Sequence, residues 1–409
     1  MDSQGVKAIV DRHFNQQRVK DIAIRIASTP QPQTELYDRE PLVLRAIRAL
    51  YRPAFEAAGC ATWIDDYGNL IATQGEDTGG KTVMFLSYAM GWAEATMPNP
   101  WSGEVMDGSR WGIDGEVVWG RNGSEWWPTN GAMIECAQII HGSGTKLPGK
   151  VIYVISSGGH TSSSDPIYHL LHNDQLQADL CIMPGTKEIV LGNMGRLDLR
   201  VNIFGKSVHS GGELAVGLNA IEGGLQAIER LKSIMPYPPK GHNDPDMGRG
   251  RLSIIGLASY PFSPGYHQGV GSGGHTLQNL MRFLLDRRVP PGQDVEQAIE
   301  EIRAAIGDMS PWRITFERGA MQYPSKHSRE DRIITSVAEA YAAALGTEPG
   351  YRYVDYTIDA GYMNMMSIPT VMFGAIDMRF CHGDEEFTNL NDTYDISKVY
   401  TAWALLNAR

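Results

Sequence analysis

The residue types able to move a proton near neutral pH fall in a few short segments of this 409-residue chain. Glu125 stands in Gly123-Ser-Glu-Trp-Trp-Pro, and His160 lies in the glycine- and serine-rich stretch 156–164, followed by Asp165. His209 closes Gly205-Lys-Ser-Val-His, and His382 opens His382-Gly-Asp-Glu-Glu-Phe. Imidazole titrates near neutrality and burial pushes a carboxyl toward it, so these types suit general acid and base work. The serines Ser156, Ser157 and 162–164 invite a nucleophile reading. However, Gly-x-Ser-x-Gly is absent, and hydroxyls after a strand commonly cap the next helix. Each candidate also has a plainer role: a structural or solvent-facing histidine at 160, a loop histidine at 209, an exposed loop carboxylate at 125. Trp92, Trp101, Trp111, Trp119, Trp126 and Trp127 make residues 92–127 unusually aromatic. They suit either an aromatic or flat-substrate pocket or core and lid packing.

The elements that must position these groups follow from apolar spacing. Residues 5–29 and 40–58 carry helical periodicity, with Val43, Leu44, Ile47, Leu50 and Phe55 on one face of the second segment, predicting two opening helices. Short apolar runs at 69–73, 82–87 and 150–157 end in Gly, Ser or Asp, as buried strands do. A helix is expected over 130–141 between the last two. Such alternation predicts a parallel or mixed α/β sheet with sites at its strand ends. From about residue 195 the pattern becomes strict period two over 196–204, a strand with one wet face. A helix (219–234), a Pro/Gly-rich stretch (236–250), two strands (251–257, 280–288), a helix (295–306) and a strand (312–317) follow. Strand-helix-strand-strand-helix-strand is an inserted α+β unit of ferredoxin-like order. A helix at 329–345 and a buried strand at 368–374 then resume the first domain. The expected division is 1–194 with 320–409, interrupted by 195–319.

Composition narrows the partners. Hydrophobic residues make up 42% of the chain, enough for a sizeable core in each domain, and the formal charge of −11 carries no long run of one sign. Clustered Lys and Arg, on which nucleic-acid affinity rests, are missing. No window reaches eighteen consecutive apolar residues and the N-terminal segment is polar, so a soluble, cytoplasmic protein with no membrane partner is expected. The four cysteines, Cys60, Cys136, Cys181 and Cys381, form no CxxC pair and lie in or beside apolar stretches, as buried thiols in a reducing compartment do.

Several spaced landmarks resemble one family, the dinuclear-zinc aminoacylases, acetylornithine deacetylases, succinyl-diaminopimelate desuccinylases and related carboxypeptidases. They are Gly115-Glu-Val-Val-Trp-Gly-Arg followed by Asn130-Gly-Ala-Met, Gly205-Lys-Ser-Val-His-Ser with Gly217-Leu-Asn-Ala-Ile, Asp286-Arg-Arg-Val-Pro-Pro-Gly, and the His382 segment. Their order and spacing match over nearly the whole chain. The resemblance implies a zinc-aminopeptidase-like mixed sheet flanked by helices, with the inserted domain serving dimerisation and as a lid, hence a homodimer with a small-molecule substrate. It further implies that His209 polarises the substrate carbonyl across the dimer and that Asn279 binds substrate. Arg288 is expected as a structural salt-bridge donor and Asp359 as a helix cap.

Against that family's metal pattern the chain departs. Tyr88 stands where the first histidine ligand would be and Met90 where an aspartate would follow; neither suits zinc here. Glu125 takes the place of the bridging carboxylate. The paired glutamates expected after residues 151–155 are absent, Pro184 or Gly185 replaces a further acidic ligand, and His382 alone keeps identity and setting. A dinuclear site is therefore not expected, and no cofactor is. The alternative is one zinc or manganese ion on Glu125, His160 and His382. A metal-free cleft would retain Tyr88, Glu125, His160 and His209 for catalysis, with Asn279, His382 and Trp92 binding substrate. The expected activity is hydrolysis of a C–N (amide-like) or other activated bond in a small, aromatic or anionic substrate. Two further readings stay open: a metal-independent isomerase or lyase in the same cleft, and a non-catalytic ligand-binding protein.

Overall fold

A computed structural model describes residues 2–34, 39–159, 164–212, 216–238, 243–260 and 275–409. The chain divides into two compact units: Met1–Gly192 with Lys326–Tyr353 and Ile358–Arg409, and Asn193–Ser325 with Val354–Thr357.

The larger unit is built on a nine-stranded mixed sheet, seven of whose strands run in the order Ala61–Ile64, Leu70–Gly75, Lys150–Ser156, Thr82–Tyr88, Leu180–Met183, Thr370–Met372 and Ile189–Asn193. Thr82–Tyr88 pairs in parallel with both of its neighbours, and Thr370–Met372 pairs in parallel with Leu180–Met183. The pairs toward the two edges are antiparallel. These central strands are buried along almost their full length. Their near-continuous apolar runs reflect cover on both faces. Phe85 anchors the core: its ring lies 5.6 Å from Tyr153, 4.8 Å from Tyr400 and 5.1 Å from Trp403. The last two come from the C-terminal helix Leu390–Asn407, which packs on helices Trp127–Ser143 and Arg332–Leu345.

The opening segment departs from expectation. Residues 5–29 form two helices, Ser3–His13 and Gln16–Ala27, because Asn15 adopts an extended backbone and its side chain accepts the Arg18 N–H at 3.0 Å, capping a new helix. The second segment is interrupted by a π-turn at Ile47–Tyr51. A three-stranded sheet, Val105–Asp107, Glu116–Trp119 and Phe387–Asn389, lies outside the predicted elements. Its strands are three or four residues long, too short for alternation to register.

The smaller unit is a four-stranded antiparallel sheet in the order Leu252–Tyr260, Leu280–Val289, Gly195–Phe204, Arg313–Gln322, crossed by helices Ala220–Leu231 and Val295–Ile306. Leu197, Leu199, Val201 and Ile203 alternate into a core shared with Phe283, Leu285, Ile299 and Ile302. A Gly-Gly pair inside the first helix has a packing cause: a Cβ on Gly224 would lie 1.9 Å from the Met281 sulfur, and one on Gly223 would lie 2.7 Å from the Trp312 ring. Helix Val295–Ile306 starts at Asp294, whose carboxylate accepts the Glu296 N–H at 2.7 Å. Replacing Asp294 by Ala is expected to cost about 1 kcal/mol, read as a lower urea midpoint.

Candidate active site

The strand Glu116–Trp119 runs into a tight turn that delivers Glu125 immediately before helix Trp127–Ser143. Two residues in this region, Asn122 (φ +64°) and His382 (φ +62°), occupy the left-handed backbone region without being glycine. Such conformations cost energy and persist only where surrounding contacts hold them. Here the buried Glu386 is the holding group: its two carboxylate oxygens accept the backbone N–H groups of Asn122 and His382. Arg121, also fully buried, lies 3.8 Å from Glu386 and donates to the carbonyls of Ala93 and Gly383.

On this frame the Nε2 of His382 lies 2.8 Å from Oε1 of Glu125, while Glu125 Oε2 accepts from the Asn122 amide. The His382 ring stacks on Trp92 at 4.6 Å between centroids and 7° between planes. The Glu125 side chain is 9% exposed and that of His382 42%, so a shielded carboxylate backs an accessible imidazole. Burial, with the charge of Glu125 second, raises the Glu386 carboxyl to about 7, against the opposing pull of Arg121 and the two N–H groups. Burial alone would lower His382, but the hydrogen bond and charge of Glu125 and the charge of Glu386 outweigh it and hold the imidazole above its ordinary range. The adjacent Cys381 thiol is shared by two backbone carbonyls, its sulfur 3.2 Å from that of Ser124 and 3.3 Å from that of Asp377, and burial, then the charges of Glu125 and Glu386, pushes it well up.

Tyr88 belongs to a separate buried network. Its hydroxyl donates to Asp359 Oδ2 at 2.6 Å, and Ser164 donates to the other oxygen of Asp359 at 2.6 Å. Burial, then the Asp359 charge, keeps the phenol protonated far above neutrality. Asp359 stands at the N-cap position of helix Ala360–Met365, as expected, but makes no side-chain cap bond; two hydroxyls take its carboxylate instead. Arg288 pairs with Asp286 through two hydrogen bonds of 2.7 and 2.8 Å. His160 lies outside the described residues, as do Ser162 and Ser163. Of the six tryptophans, Trp119, Trp126 and Trp127 are buried and Trp111 packs at 4.7 Å on Phe387; the Trp126 ring lies 5.0 Å from that of Tyr88, and Trp92 stacks on His382.

The smaller unit carries the other two candidates. His209 is exposed, and its Nδ1 accepts the Gly211 N–H at 3.0 Å. In the neutral ring the proton therefore sits on Nε2, the tautomer that can donate to a carbonyl. Asn279 lines an open cavity of ≈ 410 Å³ with Phe204, Gly205, Leu218, Pro311 and Arg313, and the Arg313 guanidinium lies 3.6 Å over the Phe204 ring.

The donor set does not fit the two zinc ions that the sequence resemblance implies. The Tyr88 hydroxyl is committed to Asp359, Met90 is fully buried and apolar, and both Glu386 oxygens take backbone N–H groups. Among the described residues of that set Glu125 and His382 remain, and they bind each other. Two zinc ions need several such donors, and one carboxylate with one imidazole falls short of them. Among the described residues, the grouping with three metal-ligating side chains in reach of one another is Asp65, His169 and Asp174. Arg121 and Glu386 both fall inside landmarks read from the sequence, the Gly-Arg turn and the His382 segment, but neither was assigned a role there. The signal for Glu386 was an acidic residue one helical-turn spacing after His382; nothing in the sequence marked Arg121 as buried.

Residues 191–313 match the family described as the peptidase dimerisation domain. No curated protein matches the chain. Among solved structures, a dipeptidase of Saccharomyces cerevisiae shares 13% identity and a TM-score of 0.75, over 100% of this chain and 98% of that one. Human carnosine dipeptidase 1 gives 15% and 0.73 over the whole of both chains. An amidase of the hydantoinase/carbamoylase family from Burkholderia multivorans gives 15% and 0.59, over 97% and 98%. At these identities the likeness is one of fold: a mixed α/β sheet with an inserted dimerisation domain.

Proposed function

We propose that the chain is a hydrolase of the peptidase and amidase type that cleaves a C–N bond in a small substrate, using the Glu125–His382 pair in place of two zinc ions. The observation that carries this reading is the 2.8 Å contact between a shielded carboxylate and an accessible imidazole. Water gives a proton to His382 as its oxygen joins the acyl carbon. Glu125 stabilises the imidazolium, which then returns the proton to the leaving nitrogen as the C–N bond breaks. Trp92, stacked on the imidazole, favours substrates with an aromatic or flat group. On the smaller unit, Asn279 and Arg313 line a cavity with polar groups suited to an anionic or carbonyl-bearing ligand, and His209 presents a donor. Tyr88 acts through Asp359.

The match of residues 191–313 to a dimerisation domain, with Leu225, Ile255 and Leu257 more than half exposed on that unit, supports a homodimer. Among the described residues no helix is long and apolar enough to cross a membrane, and Cys60, Cys136 and Cys181 are buried free thiols; a cytoplasmic setting accords with both.

The test is turnover of N-acyl and N-carbamoyl amino acids and dipeptides with aromatic side chains in ¹⁸O-labelled water. Hydrolysis places one labelled oxygen in the acid product for each amine released. Product without label would replace this reading by a lyase or isomerase, and binding without product by a ligand-binding protein.

A further inference from the structure

Away from the candidate active site, the turn after strand Ala61–Ile64 meets helix Asp165–His172. One ligand atom from each of Asp65, His169 and Asp174 lies within 4.8 Å of the others. Nε2 of His169 stands 4.0 Å from Asp65 Oδ2 and 3.9 Å from Asp174 Oδ2, beyond a hydrogen bond to either and almost equidistant between them. Two carboxylates and an imidazole thus face a common gap.

Asp65 is not a casual surface acid. Its side chain is 1% exposed and oriented by three hydrogen bonds: Oδ1 accepts the N–H groups of Gly68 and Asn69 at 2.7 and 2.8 Å, and Oδ2 accepts the Asn69 amide at 2.7 Å. The His169 ring is held by Tyr67 at 5.7 Å, which carries the Arg39 guanidinium at 5.5 Å on its ring. Such outer contacts aim ligands before an ion arrives.

We propose that Asp65, His169 and Asp174 form a binding site for one divalent transition-metal ion, zinc or manganese, that ties the 65–69 turn to the C-terminal end of helix Asp165–His172. Mixed imidazole and carboxylate donors suit these ions, and the two N···O gaps of 4.0 and 3.9 Å would close by roughly 0.6–0.7 Å on binding. Three protein ligands leave positions for water. The clamp reaches further through Asn69, whose amide also bonds the Pro166 carbonyl and whose oxygen accepts the Ser157 N–H at 3.0 Å.

The test is titration of the chelator-treated full chain with zinc and with manganese, by calorimetry and by the shift in thermal midpoint. The variants are His169→Ala, Asp174→Asn and, as control, His382→Asn. His169 and Asp174 are partly exposed, so both variants should fold. One ion per chain is expected, with affinity falling more than about tenfold in His169→Ala and Asp174→Asn and unchanged in His382→Asn. Loss in His382→Asn alone would move the ion to the candidate active site and overturn the proposal. So would binding indifferent to all three variants, or no binding.

Discussion

His382→Asn is expected to lower kcat/KM for C–N hydrolysis by roughly 10²- to 10⁴-fold, the range lost when a positioned general base is removed. Asparagine is the informative replacement because residue 382 has φ +62°, a conformation that asparagine tolerates and that alanine would strain. The folded frame, including the Glu386 bond to the backbone N–H at 382, is thereby retained. Wild-type turnover has a further signature. The imidazole must be unprotonated to accept a proton from water, and Glu125 and Glu386 together raise its pKa despite burial. Activity should therefore climb with pH through a midpoint above 6.5. Glu125→Gln, which keeps the side-chain shape and removes the charge, should move that midpoint down as well as slow turnover. A rate unchanged in His382→Asn would remove the proton-carrying role from this residue.

Stability should fall as the pH rises from 5 to 8. Glu386 titrates at about 7 in the folded chain against an ordinary 4.5, so the folded state binds its proton more tightly than the unfolded state between those values. Stability decreases with pH wherever the folded state holds more protons, and the full separation corresponds to roughly 3 kcal/mol. His382 adds to the same slope. Its raised pKa gives stability that is complete below the unfolded value and lost as pH rises through the folded one. Urea midpoints at pH 5, 6, 7 and 8 check this. Glu386→Gln should flatten the profile while lowering it throughout, because an amide offers one acceptor where two backbone N–H groups need two. A profile that rises over this range would contradict the arrangement of charges described here.

Much of the fold was legible because its signals are local and repeated. Period-two alternation marked Gly195–Phe204, whose buried leucine, valine and isoleucine positions alternate inward. The helix at Val295–Ile306 lies where its spacing put it. The break at Asn15 was hidden because apolar periodicity runs on across it while a single side-chain cap restarts the helix. In the candidate site, Glu125, His382 and Trp92 were visible as types with suitable chemistry. Their mutual contact was not, since it joins residues far apart in sequence and depends on two left-handed backbone turns. The role of Glu386 was hidden for a related reason: it stands in the His382 segment, but its importance lies in the backbone groups it satisfies, and no side-chain pattern reports that. Asp359 shows the converse, a sequence position suited to capping whose carboxylate is taken by hydroxyls from distant strands and loops.

The order of strands in the larger unit also constrains how the chain is made. Thr370–Met372 sits between Leu180–Met183 and Ile189–Asn193, although it is synthesised long after both. Within the smaller unit, by contrast, the first and last strands pair directly, Arg196 opposite Gln322, so that unit is complete as soon as its own last strand is available. During synthesis the inserted unit closes while its host still has a slot in the middle of its sheet, lined by unpaired backbone groups on two strands. Until residues 370–372 leave the ribosome, that slot is an adhesive edge. A nascent chain stalled there is the form of this protein most exposed to aggregation and most in need of a chaperone.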